Sequence, residues 1–203
     1  MREGPAVVGV TVSDPVERVG SVFSRSPAVA EPVVRDRGVY GVFSEFPLGP
    51  RAEVFRVYRA SLRARLPPVR FRHTIRPVLE GDHPALRDLM REVNGVVNPR
   101  WFEGLQDVPE TGFLAEVEGK PAGVGWVSVV GAHARLHSLA VRAPYRRLGI
   151  GTDLLSARLL WAQRCGATEV LSEIWERNFV SQRIATGAGM TRAGEIYYYP
   201  PVR

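Results

Sequence analysis

Leu136-His-Ser-Leu-Ala-Val-Arg-Ala-Pro-Tyr-Arg-Arg-Leu-Gly-Ile-Gly-Thr152 decides the reading of this chain. An apolar strand runs into a glycine-bearing turn, and the turn opens directly onto a leucine-rich helix. Gly149 and Gly151 lack the side chains that would hold a ligand away from the backbone. The first turn of the following helix leaves its N–H groups unpaired and pointing outward. Those groups and the positive end of the helix dipole together make an anion site. A diphosphate fits such a cradle.

The spacing Arg146-Arg147-Leu148-Gly149-Ile150-Gly151 is neither G-x-G-x-x-G nor the P-loop pattern. It matches Q/R-x-x-G-x-G/A. Placed after Leu139-Ala140-Val141, this hexapeptide resembles the acyl-CoA-binding core of the GCN5-related N-acetyltransferases, the GNAT superfamily. The flanking sequence agrees. Thr152 to Arg164 reads as an amphipathic helix with Leu155, Leu159 and Ala162 on one face, Asp153 near its start and Gly166 just beyond its end. Glu169 to Trp175 alternates as a strand, Asn178 to Ala188 is helical in pattern, and Glu195 to Tyr199 is a last strand stopped by Pro200-Pro201. Upstream, Arg72 to Arg76 reads as a short strand and Pro84 to Val93 as a helix with Leu86, Leu89, Met90 and Val93 inward. Trp101 to Leu105 is a candidate second helix. Strands Gly112–Val117 and Ala122–Val130 are joined by Glu118-Gly-Lys-Pro121, a tight hairpin turn.

This order matches the superfamily over about residues 71 to 203, roughly two thirds of the chain. The resemblance implies an α/β (α+β) fold, with a mixed, mostly antiparallel central sheet flanked by helices. Residues 1–70 form an extra N-terminal accessory segment, with Pro67-Pro68 as the boundary. Within that segment Ala6–Val12 and Val39–Phe46 read as strands, Asp14 to Glu31 is rich in turn formers and charge, and Ala52 to Leu66 reads as an Arg-rich helix. The roles open to it are a small subdomain, a dimerisation arm or an incomplete sheet.

Composition bounds the function. With 203 residues and 45% hydrophobic content the chain can bury a real core. No segment approaches the ~20 apolar residues of a membrane span, and the N-terminal apolar run is short for a secretory signal. The single Cys165 allows no internal disulfide, so a cytoplasmic location is expected. Its place near a helix end reads as packing. Four scattered His residues give no metal-ligand spacing, so no metal is expected. Residues 1–72 hold 12 Arg against 7 acidic residues, net +5, while residues 73–203 hold 15 Arg plus Lys against 14 acidic, net +1. All the positive residues except Lys120 are Arg, which reads as a coding bias more than as a nucleic-acid surface. Arg56, Arg59 and Arg63 nevertheless share one face of the expected helix, opposite Val54, Tyr58, Leu62 and Leu66. That face is either solvated or a contact for an acidic partner or CoA phosphates.

The resemblance implies acyl transfer from acetyl-CoA, as co-substrate, to an amine-bearing acceptor. The pantetheine arm would pair along Leu139, Ala140 and Val141. A bulge in that strand would aim the backbone N–H of Leu139 at the thioester carbonyl. The diphosphate would rest on the N–H groups of Arg147, Leu148, Gly149, Ile150, Gly151 and Thr152. Arg146 either pairs with a phosphate or fixes the loop. Asn178, with Ser181 after it, matches an Asn that contacts CoA in many members, and it also suits a helix cap. The tyrosine that often protonates the thiolate is absent, because Ala185 stands in its place. Tyr197, Tyr198 and Tyr199 read as sheet-packing residues. For the general base, Glu173 (with Glu176 beyond it) and His137 are the candidates. Two rival readings remain: a non-catalytic acyl-CoA-binding sensor, and a module docking on an acidic partner through the N-terminal arginines. The acceptor itself is not legible beyond the variable region 94–105.

Overall fold

The computed structural model describes residues 9–14, 19–24, 26–36, 41–49, 52–95 and 108–201. In chain order the first elements are β1 (Gly9–Asp14), β2 (Val19–Ser24), α1 (Pro27–Arg35), β3 (Gly41–Ser44) and β4 (Glu53–Ser61). Then come β5 (Thr74–Pro77), α2 (His83–Asn94), β6 (Glu110–Val117), β7 (Lys120–Val130) and β8 (His133–Val141). The chain closes with α3 (Ile150–Arg164), β9 (Glu169–Trp175), α4 (Phe179–Gly187) and β10 (Thr191–Tyr199). The sheet is mixed and mostly antiparallel with flanking helices, the expected class. Two compact units divide the chain: residues 1–57, 174–178 and 193–203 in one, residues 58–173 and 179–192 in the other. Pro67-Pro68 lies inside the second unit.

In the second unit β5, β6, β7 and β8 are successive antiparallel neighbours, and β8 pairs with β9 in parallel. The β6–β7 connection is the expected tight turn. Glu118 and Gly119 both have positive φ, 51° and 73°, which a two-residue hairpin loop requires. β7 alternates across the sheet as a strand buried on both faces must. Val124 and Trp126 turn to the α2 side, where Leu86, Leu89 and Met90 join Leu114 and Ala140 in a core of nearly inaccessible side chains. The intervening Gly123 and Gly125 face Ile150 and Arg158 of α3. Three fully buried residues on one 12-residue helix contribute roughly 1.5–3 kcal/mol each by removal from water.

In the first unit β1 pairs antiparallel with β2, β2 parallel with β3, and β3 antiparallel with β10. Val22, Ala30, Val34, Val42 and Tyr199 form its core, with Tyr197 packed against them. Tyr198 faces the other way, against Phe43 and Phe55. The three tyrosines therefore pack the sheet, as alternation predicts.

Three expectations need correction. The segment 14–31, rich in turn formers, contains β2 and the start of α1. Ala52 to Leu66 is no helix; β4 occupies Glu53–Ser61. Its arginines do not share a face, because strand alternation puts Arg56 and Arg59 on opposite sides, and Arg59 lies 3.7 Å from Glu169. The spacing of Val54, Tyr58 and Leu62 suits either period, and pairing beside β9 decides for the strand. Cys165 is exposed at the end of α3 rather than packed. The candidate helix at 101–105 and its aromatic residues lie outside the described residues.

Candidate functional site

The cradle forms where β8 meets α3. After Val141 the chain makes a short 3-10 turn at Ala143–Tyr145, then enters the left-handed region at Arg147 (φ 64°) and Gly149 (φ 92°). Gly149 is the residue on which the helix starts, so α3 begins at Ile150, two residues earlier than its apolar pattern suggests. A side chain at φ 92° is strained, which is why glycine serves here. Gly151 has a different use. It is helical, and a Cβ on it would stand 2.8 Å from Ile184 Cδ1, so its bareness admits the close approach of α4.

The hydrogen bonds define what the cradle offers. Thr152 and Asp153 each donate their N–H to Gly149 O at 3.0 Å. The N–H groups of Arg147, Leu148, Gly149, Ile150 and Gly151 make no hydrogen bond among the described residues. Thr152 thus leaves the expected donor set, while the other five remain. Arg146 donates through Nε to Val141 O at 3.0 Å, so its side chain ties the loop to the end of β8.

Over this turn stands a cation that the sequence reading missed. Arg72 Nη1 lies 3.0 Å from the point where a Cβ on Gly149 would sit. The segment is clamped there by Asp153 in the first turn of α3. That carboxylate accepts from Arg72 N–H at 3.0 Å, from His73 N–H at 3.2 Å, and lies 2.8 Å from His73 Nδ1. The Arg72 guanidinium has no partner among the described residues. A guanidinium beside free N–H groups and a positive helix end is a repulsive arrangement until an anion enters between them. His73 and Arg72 sit 80 and 81 residues before Asp153, so no local motif could announce them.

The upstream half of the site is a bulge in β8. Val124 pairs with Ala140 and Trp126 with His137, so two steps on β7 face three on β8. The extra residue falls at Ser138–Leu139, where Ser138 has φ 52°. Left-handed geometry in a non-glycine residue costs on the order of 1–3 kcal/mol. Beyond this point β8 and β9 separate: their ladder runs from His133/Glu169 to Arg135/Leu171, followed by a Ser172 Oγ bond to Leu136 O at 3.3 Å. Leu139, Ala140 and Val141 therefore lie past the last paired position of β9, with Ala140 buried and Leu139 and Val141 half-buried.

Arg158 of α3 closes the underside of the bulge. Its Nε donates to Leu154 O at 3.1 Å, and Nη1 donates to Trp126 O and His137 O at 3.3 and 3.4 Å. Burial without a carboxylate partner pushes its guanidinium down to about 10. Gly125 is needed opposite it, since a Cβ there would stand 3.1 Å from the guanidinium carbon.

The two base candidates differ in their company. Glu173 is engaged by Arg135 Nε at 3.0 and 3.2 Å, a cross-strand ion pair between β8 and β9. His137 Nε2 lies 2.8 Å from Glu110 Oε1, and its Nδ1 lies 3.1 Å from Ser138 Oγ. Glu110 carries no sequence signal and sits 27 residues away. Ser181 is half-buried in the first turn of α4. Asn178 precedes α4 directly and donates its N–H to Trp175 O at 2.8 Å; with Glu176 it belongs to the first unit, whereas the cradle belongs to the second. Ala185 is buried, at 3% exposure.

Residues 75–190 match the model of the acetyltransferase (GNAT) family. No match was found among curated proteins. Among solved structures, a GCN5-related N-acetyltransferase from Sphaerobacter thermophilus is similar with a TM-score of 0.68 at 17% identity, covering 96% of this chain and 77% of that one. One from Kribbella flavida gives a TM-score of 0.67 at 11% identity over 98% and 89% of the two chains. An aminoglycoside N-acetyltransferase in complex with CoA gives 0.52 at 20% identity, covering 63% of this chain and 93% of that one. At these identities the likeness is one of fold. No helix among the described residues is long and apolar enough to cross a membrane.

Proposed function

The chain belongs to the acetyltransferase (GNAT) family, and from that premise we propose that it moves an acetyl group from acetyl-CoA to a primary amine by direct attack. The carrying observation is the set of free N–H groups at the head of α3, reached from a bulged strand. CoA diphosphate rests on the N–H groups of Arg147 to Gly151 with Arg72 above it, and Arg146 holds the loop. The pantetheine arm adds to β8 along Leu139, Ala140 and Val141, where β9 has departed. The N–H of Leu139 faces the thioester carbonyl. The cradle supports this reading because its donors have no use in the fold itself. Ser181, in the first turn of α4, serves as a further CoA contact. Residues 71–203 make up the acyltransferase domain and residues 1–70 its accessory segment.

Glu173 already neutralises Arg135, which favours a structural part for it and leaves His137 as the base. A second reading, a non-catalytic acyl-CoA-binding module, is favoured by buried Ala185, which supplies no proton donor. Docking through an N-terminal arginine face has lost the helix on which that face depended. Calorimetric titration with acetyl-CoA and CoA tests what the first two readings share, and the absence of saturable binding to either sinks both. Thiol release in the presence of primary amines then separates enzyme from sensor.

A further inference from the structure

We propose that Glu110, His137 and Ser138 form a proton relay at the bulge of β8, which takes the proton from the attacking amine and returns it to the departing thiolate. This rests on the acyl-transfer reading above. The polarity of the chain of contacts follows from the groups themselves. A carboxylate only accepts, so His137 Nε2 carries the hydrogen shared with Glu110 at 2.8 Å. The neutral ring then leaves Nδ1 as an acceptor, and Ser138 directs its hydroxyl proton there over 3.1 Å. The serine oxygen keeps its lone pairs for a third group.

The backbone supports the same assignment. Consecutive side chains of a regular strand point to opposite faces. The left-handed φ of Ser138 breaks that alternation and brings its hydroxyl onto the ring of the preceding residue. Strain of this kind persists where a site uses it. Leu139, whose N–H faces the thioester carbonyl in the proposed reading, is the next residue. The imidazole is mostly enclosed, with 18% of its side-chain surface exposed and 9% for Glu110. Among the described residues, the charged groups facing this region are Glu110 from β6, Arg158 from α3 through the His137 carbonyl, and on β8 itself Arg135, whose charge Glu173 of β9 offsets. β7 contributes Trp126 and Ser128, and α2 contributes apolar residues.

The step balances for a neutral amine. Its nitrogen forms the C–N bond, and its proton passes to Ser138 Oγ as the serine proton moves to His137 Nδ1. Glu110 holds the resulting imidazolium. The C–S bond breaks with its electron pair on sulfur, and the proton returns through Ser138 to the thiolate. Amide and thiol leave, and the relay is restored. Ala185 supplies no phenol for the last transfer, and the relay makes one unnecessary.

The test measures thiol release from acetyl-CoA, with water and with spermidine, an aminoglycoside and an alanine-initiated peptide as acceptors, beside calorimetric binding of acetyl-CoA. His137→Ala and Ser138→Gly should lower kcat about a hundredfold, and Glu110→Gln about tenfold, while acetyl-CoA affinity stays within about twofold. Added imidazole should restore part of the His137→Ala rate. Ser138→Gly should unfold at an equal or higher temperature while turning over more slowly, since glycine relieves the φ strain. Turnover of His137→Ala or Ser138→Gly within threefold of the unaltered protein, with binding intact, overturns the relay. So does acetyl-CoA binding without any thiol release. Absence of acetyl-CoA binding in the unaltered protein overturns the acyl-transfer reading itself, a separate result.

Discussion

The first turns of α2 and α3 face the same problem, a set of backbone donors with no partner inside the helix. At α2 a 3-10 turn at Glu80–Asp82 runs into the helix, His83 donates its N–H back to Glu80 O, and the acid at the helix head is held by neighbours outside the helix. Asp82 accepts from Leu79 N–H at 2.8 Å and from both terminal nitrogens of Arg76 at 2.7 and 2.8 Å, and Arg76 also reaches Glu116 at 2.8 Å. Pro84 removes one donor outright. The contact with Arg76 and the N–H of Leu79 hold the Asp82 carboxyl down at about 2, and the same pairs hold the Arg76 guanidinium above the usual arginine range. At α3 the acid of the first turn, Asp153, is turned aside to clamp Arg72 and His73. The donors before it stay free and the Arg72 guanidinium stands over them. One corner is closed by its own charges, and the other is complete only when an anion arrives.

The largest expected effect lies at the open corner. Gly149→Glu places a carboxylate beside Arg72, at a backbone conformation that side chains resist, and fills the cradle with the ligand's own charge. Titration should show at least a hundredfold loss of CoA affinity with the fold retained by circular dichroism. Unchanged affinity would break the distinction between the two corners. Arg76→Ala acts on the closed corner and should do the opposite. It strands two partly buried carboxylates, so denaturant unfolding should show a loss of about 1–3 kcal/mol with CoA affinity unaltered. Arg72→Ala should weaken CoA roughly tenfold, in line with a charge-assisted contact of about 1.5 kcal/mol, and should flatten the salt dependence of binding. Stability should be indifferent to it, because Arg72 bonds Asp153 through its backbone.

The smallest effect concerns acid. Asp82 binds its proton less readily folded than unfolded, so its contribution is fully present above the ordinary carboxylate value of about 3.9 and is lost as pH falls through about 2. Thermal unfolding between pH 4 and pH 2 should fall less steeply in Asp82→Asn than in the unaltered protein. An identical slope would show that the closed corner is not closed by this charge.

Local patterns carried the element order from 74 to 199 because each element's period, caps and turn residues lie within its own stretch. The glycine spacing after Val141 and the turn pair Glu118-Gly119 are of this kind. The bulge in β8 was anticipated through resemblance alone, since nothing in His137-Ser138-Leu139 marks an extra residue. The misreading of Ala52 to Leu66 shows the limit. Val54, Tyr58, Leu62 and three arginines suit a helical period, but Tyr58 is buried within a strand and its hydroxyl donates to Gln182 at 3.3 Å, 124 residues on. A pattern that satisfies two periods is settled by what it packs against.

By itself the sequence determined the strand, the left-handed turn and the helix that make an anion cradle, because glycine, apolar runs and helix geometry act over a few residues. Only the tertiary structure decided which cradle donors stay free, and that Thr152 is not among them. It also set Arg72 over Gly149, Glu110 on His137 and Arg158 beneath the bulge. Those placements depend on register and packing between segments distant in the chain, and no local preference encodes which distant side chain a fold will bring to a given atom.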